Sequence, residues 1–312
     1  MYKTMKRLAI SIDIGASKIK VALITEKGII IKKLKSKMPE NAKNGKEITE
    51  KIIALVKELT NNFKSNSFLG IGIGSAGPIS LKQGKLINPT NIPFKEISLR
   101  EPLEKSFNLS VSMLNDCTCA AWGEKIFGEG KKYKNLSYIS ISSGIGGGII
   151  VDDHLLIGKD GNAAEIGHFA IETKYNLSCN YNKGKGHWES YSSGKNLPKF
   201  FKQWASFNRI SNKYNFKKAE EIFQLSKEKT ISDFLKEVEN INIIGISNVI
   251  IAYDPEIIML GGTVFLKNKN IFLPSLKQRI KKPPIITASL KENAPLLGAA
   301  ALVFYPPSMI SS

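Results

Sequence analysis

The chain has 312 residues, 42% of them hydrophobic and 23% charged, with 25 Gly and 13 Pro. That balance belongs to a globular protein and excludes disordered, collagen-like and low-complexity chains. Lys+Arg number 45 against 27 Asp+Glu, a net charge of +18, which draws anionic partners to the surface. The length favours two domains, each able to bury its own core. No run approaches the ~18 apolar residues that a membrane helix needs. Asp13 interrupts the short apolar stretch at the start before it can serve as a signal segment. Cys117, Cys119 and Cys179 form no even set for disulfides, and a reducing cytoplasm is expected.

The first forty residues predict a meander of three strands. Leu8–Ile14, Ile19–Ile24 and Ile29–Leu34 are rich in β-branched residues and punctuated by Gly15 and Gly28. Ile48, Ile52, Ile53, Leu55, Val56, Leu59 and Phe63 recur at helical spacing. Phe68–Gly74 reads as a buried strand entering Gly-Ser-Ala-Gly-Pro. Val111–Leu114 is a short strand, followed by Asn115-Asp116 and a helix over Cys117–Phe127. Strands over Leu136–Ser142 and Gly148–Val151 flank a glycine-rich turn, and residues 174–187 are polar and irregular. Two helices are expected between Ala219 and Ala252, broken near Asn240–Asn242. Ile257–Leu260 is a last buried strand, and a helix over Pro295–Phe304 ends before Pro306 and Pro307. Alternating strands and helices make this an α/β protein. A strand, glycine turn and strand occur twice, as two duplicated lobes require.

Three glycine loops each follow a strand: Asp13 to Lys18, Ser142 to Gly148, and Gly261-Gly262-Thr263. Glycine lets backbone N–H groups approach phosphate oxygens. A single loop of this kind is also what a plain hairpin turn uses. Neither a P-loop nor a GxGxxG opening a helix is present. Asp13 and Asp116 each follow an apolar strand, where a carboxylate can hold Mg²⁺, accept a proton from a hydroxyl, or simply cap a turn. Glu165, His168, His187 and Glu189 flank a polar loop. They suit a sugar's hydroxyls, or zinc together with Cys179, or a solvated acidic loop. The basic residues are nearly all lysine, the arginines being Arg7, Arg100, Arg209 and Arg279, and they are spread along the chain. A solvated lysine-rich surface follows, with no specific nucleic-acid partner.

These motifs, in this order, resemble the ROK group of sugar kinases, repressors and open reading frames, within the actin-like ATPase superfamily. Asp13–Lys20 resembles that family's first phosphate motif, with Ala16 and Ser17 in place of the usual Gly and Thr. Gly74-Ser75-Ala76-Gly77-Pro78 is similar to its GxPG loop, with Ala76 where Pro is usual. Pro89–Pro93 resembles the PNLP segment. Asn115-Asp116 is similar to the ND pair, Ser143–Gly148 to the GTGIGGG loop, and Glu165–His168 to ExGH. Gly261-Gly262 resembles the adenosine-side glycines, and Leu297–Ala301 the closing LGAA.

The resemblance implies a two-lobed actin-like (ribonuclease H-like) fold with a cleft. One lobe is residues 1–116 with the C-terminal helix 291–312, and the other is 117–290 with the sugar loop. It implies ATP-dependent phosphorylation of a hexose at its 6-hydroxyl with Asp116 as general base. Asn91, Asn115, Asp116, Glu165, His168 and Glu189 would bind the sugar. Asp13, Gly15, Ser17, Lys18, Ser143, Gly144, Gly146, Gly147, Gly261 and Gly262 would bind ATP, and Asp13 would hold Mg²⁺ through water. An N-acetylmannosamine or N-acetylglucosamine kinase is the alternative within the family. A sugar-responsive regulator is the distant one, and Asp13 lies too near the start for a preceding helix-turn-helix domain. Family members often carry CxCGxxGCxE, whose cysteines bind zinc with the ExGH histidine. Here Tyr181 replaces one cysteine and His187 stands near another, which leaves His168, Cys179 and His187 as zinc candidates. A homodimer is expected, and no membrane partner.

Overall fold

Leu8–Ile14 (β1) is buried along its whole length, as a near-continuous apolar strand at the centre of a sheet should be. Lys18–Thr25 (β2) folds back antiparallel to it, and Ile30–Lys37 (β3) follows as an edge strand with alternating exposure. Gly45–Thr60 (α1) opens where the Asn44 side chain accepts from the Glu47 amide, and it buries Ile48, Ile52, Leu55, Val56 and Leu59. Phe68–Ser75 (β4) lies parallel to β1. Ile79–Ser80 (β5), Lys85–Ile87 (β6) and Glu96–Ser98 (β7) make a small antiparallel sheet. Arg100–Phe107 (α2) leads to Val111–Asn115 (β8), parallel to β4, and Asp116–Phe127 (α3) follows at once. The resulting sheet has the order β3-β2-β1-β4-β8.

Leu136–Ile141 (β9) precedes Ile145–Val151 (β10) and His154–Leu156 (β11), the last two antiparallel. Four helices come next: Glu189–Ser192 (α4), Leu197–Phe207 (α5), Ala219–Gln224 (α6) and Lys229–Tyr253 (α7). Ile257–Gly261 (β12) runs parallel to β9, Thr263–Arg279 (α8) follows it, and Ile285–Thr287 (β13) pairs parallel with β12. Ala294–Phe304 (α9) is apolar, and Met309–Ile310 (β14) pairs with β11.

The computed structural model describes residues 7–89, 92–172, 174–178, 184–210 and 214–310. The chain divides into two units. The first is Met1–Lys134, Gly148–Ala163 and Asn293–Ser312; the second is Asn135–Gly147 and Ala164–Glu292. In the first unit α3 packs directly on α9. A Cβ on Gly298 would overlap the Cys119 carbonyl, and one on Gly123 would come within 2.8 Å of the Ala294 carbonyl, so this helix crossing needs glycine on both sides. In the second unit Phe234 gathers Phe200, Phe201 and Trp204, with ring centroids 5.1, 5.1 and 5.4 Å away. Such aromatic burial anchors the helices of this unit.

The structure corrects the expected helix break. α7 runs unbroken through Asn240–Asn242, and the interruption falls after Gln224, before Lys229. Asn242 is tolerated mid-helix because its Oδ1 accepts from the buried Trp188 indole N–H at 2.9 Å. β10 also starts at Ile145 rather than at Gly148. Among the described residues no helix is long and apolar enough to cross a membrane.

Candidate active site

The parallel register of the first unit aligns three strand ends. Asp13 lies opposite Gly74 on β4, which lies opposite Leu114 on β8; one step on, Ile14 lies opposite Ser75, and Ser75 opposite Asn115. The carboxyl ends of parallel strands are where α/β sheets carry their ligands. Asp13 is buried. The hairpin beyond it is closed by the Gly15 amide donating to the Lys18 carbonyl at 3.0 Å. That closure puts Asp13 opposite Lys20, whose Nζ donates to Asp13 Oδ2 at 2.7 Å. Lys20 is a site residue the sequence reasoning missed. The register of a hairpin centred on Ala16-Ser17 was the signal that would have found it, because residues directly opposite share a face. Ser17 and Lys18 sit exposed at the tip. A Cβ at Gly15 would meet nothing closer than 3.5 Å, so packing within the fold does not demand glycine there.

Asn115 ends β8 and caps α3. Its Oδ1 accepts from the amides of Cys117 at 2.8 Å and Thr118 at 3.4 Å, which satisfies two of the orphan donors of the helix start. Asp116 occupies the first turn, and its Oδ1 accepts from the Cys117 amide at 2.9 Å. The residue is half-buried. Removal from water, and after it the negative charge of Asp13, push its carboxyl up to about 6, against the opposing pull of the Cys117 N–H. The same burial raises the Cys119 thiol far above its ordinary range, so it stays protonated.

Asn162 joins the loop after β4 to the segment after β11. Its Oδ1 accepts from the Ile79 amide and its Nδ2 donates to the Ile79 carbonyl, both at 2.8 Å. A Cβ at Gly77 would stand 3.4 Å from Asn162 Oδ1 and 3.5 Å from Asn115 Nδ2, so Gly77 lies beside both asparagines.

In the second unit the glycine loop after β9 is held from several sides. Ser142 Oγ lies 2.9 Å from Thr263 Oγ1, and the Ser142 and Ser143 carbonyls accept from the Gly194 and Lys195 amides. Glu189 Oε2 accepts from the Ile145 amide at 2.8 Å, and a Cβ on Gly144 would come within 2.5 Å of that oxygen. Burial raises the Glu189 carboxyl, while the Ile145 N–H and Lys195 draw it back down. Glu189, expected at the sugar, is found bracing the glycine loop after β9. Gly147 lies against Ala164 and Ile166, and Gly167 against the Ile145 carbonyl, so the Glu165–His168 segment is seated on the start of β10.

His168 and His187 meet in this unit, Nδ1 to Nδ1 at 3.3 Å with rings 63° apart. Burial, then the charge of His187, lowers His168 to about 4, and burial lowers His187 too. Both shifts favour the neutral imidazole. Gly261 and Gly262 end β12. Gly262 has φ +84°, and a Cβ there would strike the Ile141 backbone, while one on Gly261 would strike the Tyr138 hydroxyl. Gly262 is the N-cap of α8 and, as a glycine, supplies no capping side chain.

Asn91 and Cys179 lie outside the described residues. Among the described residues no group of three or more His, Cys, Asp or Glu stands ready to hold a metal.

The sequence model of the ROK family matches residues 9–305. The chain belongs to the ROK family. The glucokinase of Pyrobaculum calidifontis is similar to this ROK chain, 32% identical over 309 residues that cover 96% of each. The crystal structure of a ROK family glucokinase from Streptomyces griseus, in complex with glucose and AMPPNP, superimposes with a TM-score of 0.77. It is 26% identical and covers 95% of this chain and 98% of that one. The xylose repressor of Bacillus subtilis is 27% identical over 314 residues, 95% of this chain and 76% of the repressor. The expected α/β class and actin-like ATPase (ribonuclease H-like) fold are the fold of this ROK protein.

Proposed function

We propose that the protein is a sugar kinase that transfers the γ-phosphoryl group of ATP to the 6-hydroxyl of a hexose, with Asp116 as the general base. The observation that carries this reading is Asp116 itself, fixed by the Cys117 amide at the start of α3 and raised to about 6 by burial and by Asp13. A carboxyl at about 6 is ionised at neutral pH and more basic than an ordinary aspartate, which suits removal of a hydroxyl proton as attack begins. Asn115 would orient the same hydroxyl. On the second unit, Glu165, His168 and Glu189 are the proposed hexose contacts, two carboxylates to accept hydroxyl protons and a neutral imidazole.

The glycine loops are the proposed ATP contacts. Gly15, Ser17 and Lys18 at the tip of the first hairpin, and Ser143, Gly144, Gly146 and Gly147 in the second, would offer amides and hydroxyls to phosphate oxygens. Gly261 and Gly262 would lie toward the adenosine. The residues fit Mg²⁺. Asp13 and Asp116 supply the carboxylate oxygens that a hard divalent cation takes, and Asp13, which pairs with Lys20, would hold it through water. When bound, the ion supplies neutralisation of phosphate charge. The described residues do not fit structural zinc, since His168 and His187 supply two donors where four are normal.

The glucokinase relatives support this reading. An N-acetylmannosamine or N-acetylglucosamine kinase is the alternative with the same base. A sugar-responsive regulator draws on the repressor relative and would leave the raised Asp116 without a use. Sugar-dependent ADP release across glucose, mannose, fructose, N-acetylglucosamine and N-acetylmannosamine separates these readings. Release with a hexose supports the first. Release only with an N-acetylhexosamine supports the second. Sugar binding without any release supports the third.

A further inference from the structure

On the first unit a pocket of about 170 Å³ opens along β8, the last strand of its sheet. Val111, Met113, Leu302, Pro306 and Pro307 give it apolar walls, and Arg100 is its one charged lining residue. Small-molecule sites are mostly apolar with a few placed polar groups, and a pocket of about 170 Å³ admits only a small molecule.

Arg100 is held in place before any ligand arrives. The amides of Leu99 and Arg100 both donate to the Gly84 carbonyl at 3.0 Å. Gly84 takes φ +64°, and a Cβ there would come into conflict with the Arg100 Cβ, Cδ and Nε, so the stem of the arginine lies pressed against this glycine. Its Nε is shielded from solvent and has no hydrogen-bond partner among the described residues, and none of them forms an ion pair with it. A guanidinium keeps its charge, and a buried donor left unsatisfied is costly. Arg100 is also the first residue of α2, the end of a helix where a cation is disfavoured and an anion is welcome.

We propose that this pocket is a binding site for a small organic carboxylate with an apolar body. One guanidinium matches one negative charge, and its planar donors fit the two oxygens of a carboxylate. The apolar walls would take the rest of the molecule. The proposal is tested on binding, independently of turnover.

Calorimetric titration with benzoate and hexanoate, against benzyl alcohol and hexanol, tests it in the full chain. Both carboxylates should bind, each at least ~10-fold more tightly than its alcohol, the ratio expected for one charge-assisted pair. Arg100→Met keeps the stem and should weaken the carboxylates by ~10-fold or more while leaving the alcohols nearly unchanged. Ser112→Trp, at an exposed position on the pocket wall, should block all four, and it keeps the test alive if the arginine variant does not fold. Saturating AMPPNP and glucose should leave the binding of benzoate unchanged. The proposal is overturned if neither carboxylate binds, if the alcohols bind as well, if Ser112→Trp retains full affinity, or if AMPPNP displaces benzoate.

Discussion

Replacing Asp116 with Asn should stabilise the fold, by an amount that grows with pH. The carboxyl rises from its ordinary 3.8 to about 6 in the folded chain. The folded state therefore holds the proton more tightly than the unfolded chain does. Below pH 3.8 both states are protonated and the stability is fully present. As pH climbs toward about 6, the unfolded chain ionises first and stability is lost. An amide does not titrate, so the variant escapes that loss. Integrating the difference gives a gap in favour of the variant of ~0.6 kcal/mol at pH 4, ~1.6 at pH 5 and ~3 at pH 8. These are upper bounds, because Asp116 is half-buried and water screens part of its charge. The amide oxygen can still accept from the Cys117 N–H. Urea unfolding of both proteins at pH 4, 5, 6 and 8, with equal slopes against denaturant, reads the gap directly. A gap that stays flat, or one that reverses as pH rises, would show that Asp116 carries no raised carboxyl.

Lys20→Met removes the ion pair of Asp13. The uncompensated charge should push Asp116 further up, so the acid limb of the kcat/KM profile moves to higher pH; an unmoved limb would mean that Lys20 does not govern Asp13. Glu165→Gln and His168→Ala should raise the KM for hexose by ~10–100-fold, the worth of one charge-assisted hydrogen bond, with little change in the KM for ATP. The reverse pattern in steady-state kinetics would assign this segment to the nucleotide. Gly144→Ala sets a Cβ 2.5 Å from Glu189 Oε2 and should drive the carboxylate off the Ile145 amide, lowering kcat/KM by ~10–100-fold. Normal kinetics in that variant would remove Glu189 from the loop's support.

What the sequence revealed was chiefly local. The three opening strands, the turn at Gly15 and the junction of β8 with α3 follow from β-branched runs, glycine and an Asn-Asp pair placed where a strand becomes a helix. The candidate residues grouped by unit at these glycine turns, because one strand end brings several loops together. What stayed hidden depends on pairs far apart in sequence. Glu189 finds the Ile145 amide 44 residues away, and no periodicity encodes that. Asn240–Asn242 look like a helix breaker in isolation. The buried bond from Trp188 to Asn242 reverses the local preference, as tertiary contact often does. Helix α5 escaped notice although Pro198 lies in its first turn, a common helix-start position. Its packing depends on Phe200, Phe201 and Trp204 meeting Phe234, a residue of α7 about thirty positions on. Lys20 was legible in principle, from hairpin register alone.

The most direct test of the central claim is sugar-dependent turnover of wild type and Asp116→Asn side by side. With ATP, Mg²⁺ and glucose, mannose or fructose, the wild type should release ADP and form the sugar 6-phosphate. Asp116→Asn should lose ~10²–10⁴-fold in kcat, the usual cost of removing a positioned base, while calorimetry shows hexose binding retained. A wild type that releases no ADP with any of these sugars, or a variant that keeps more than about a tenth of wild-type turnover when ~10²-fold is the least expected, would contradict the account.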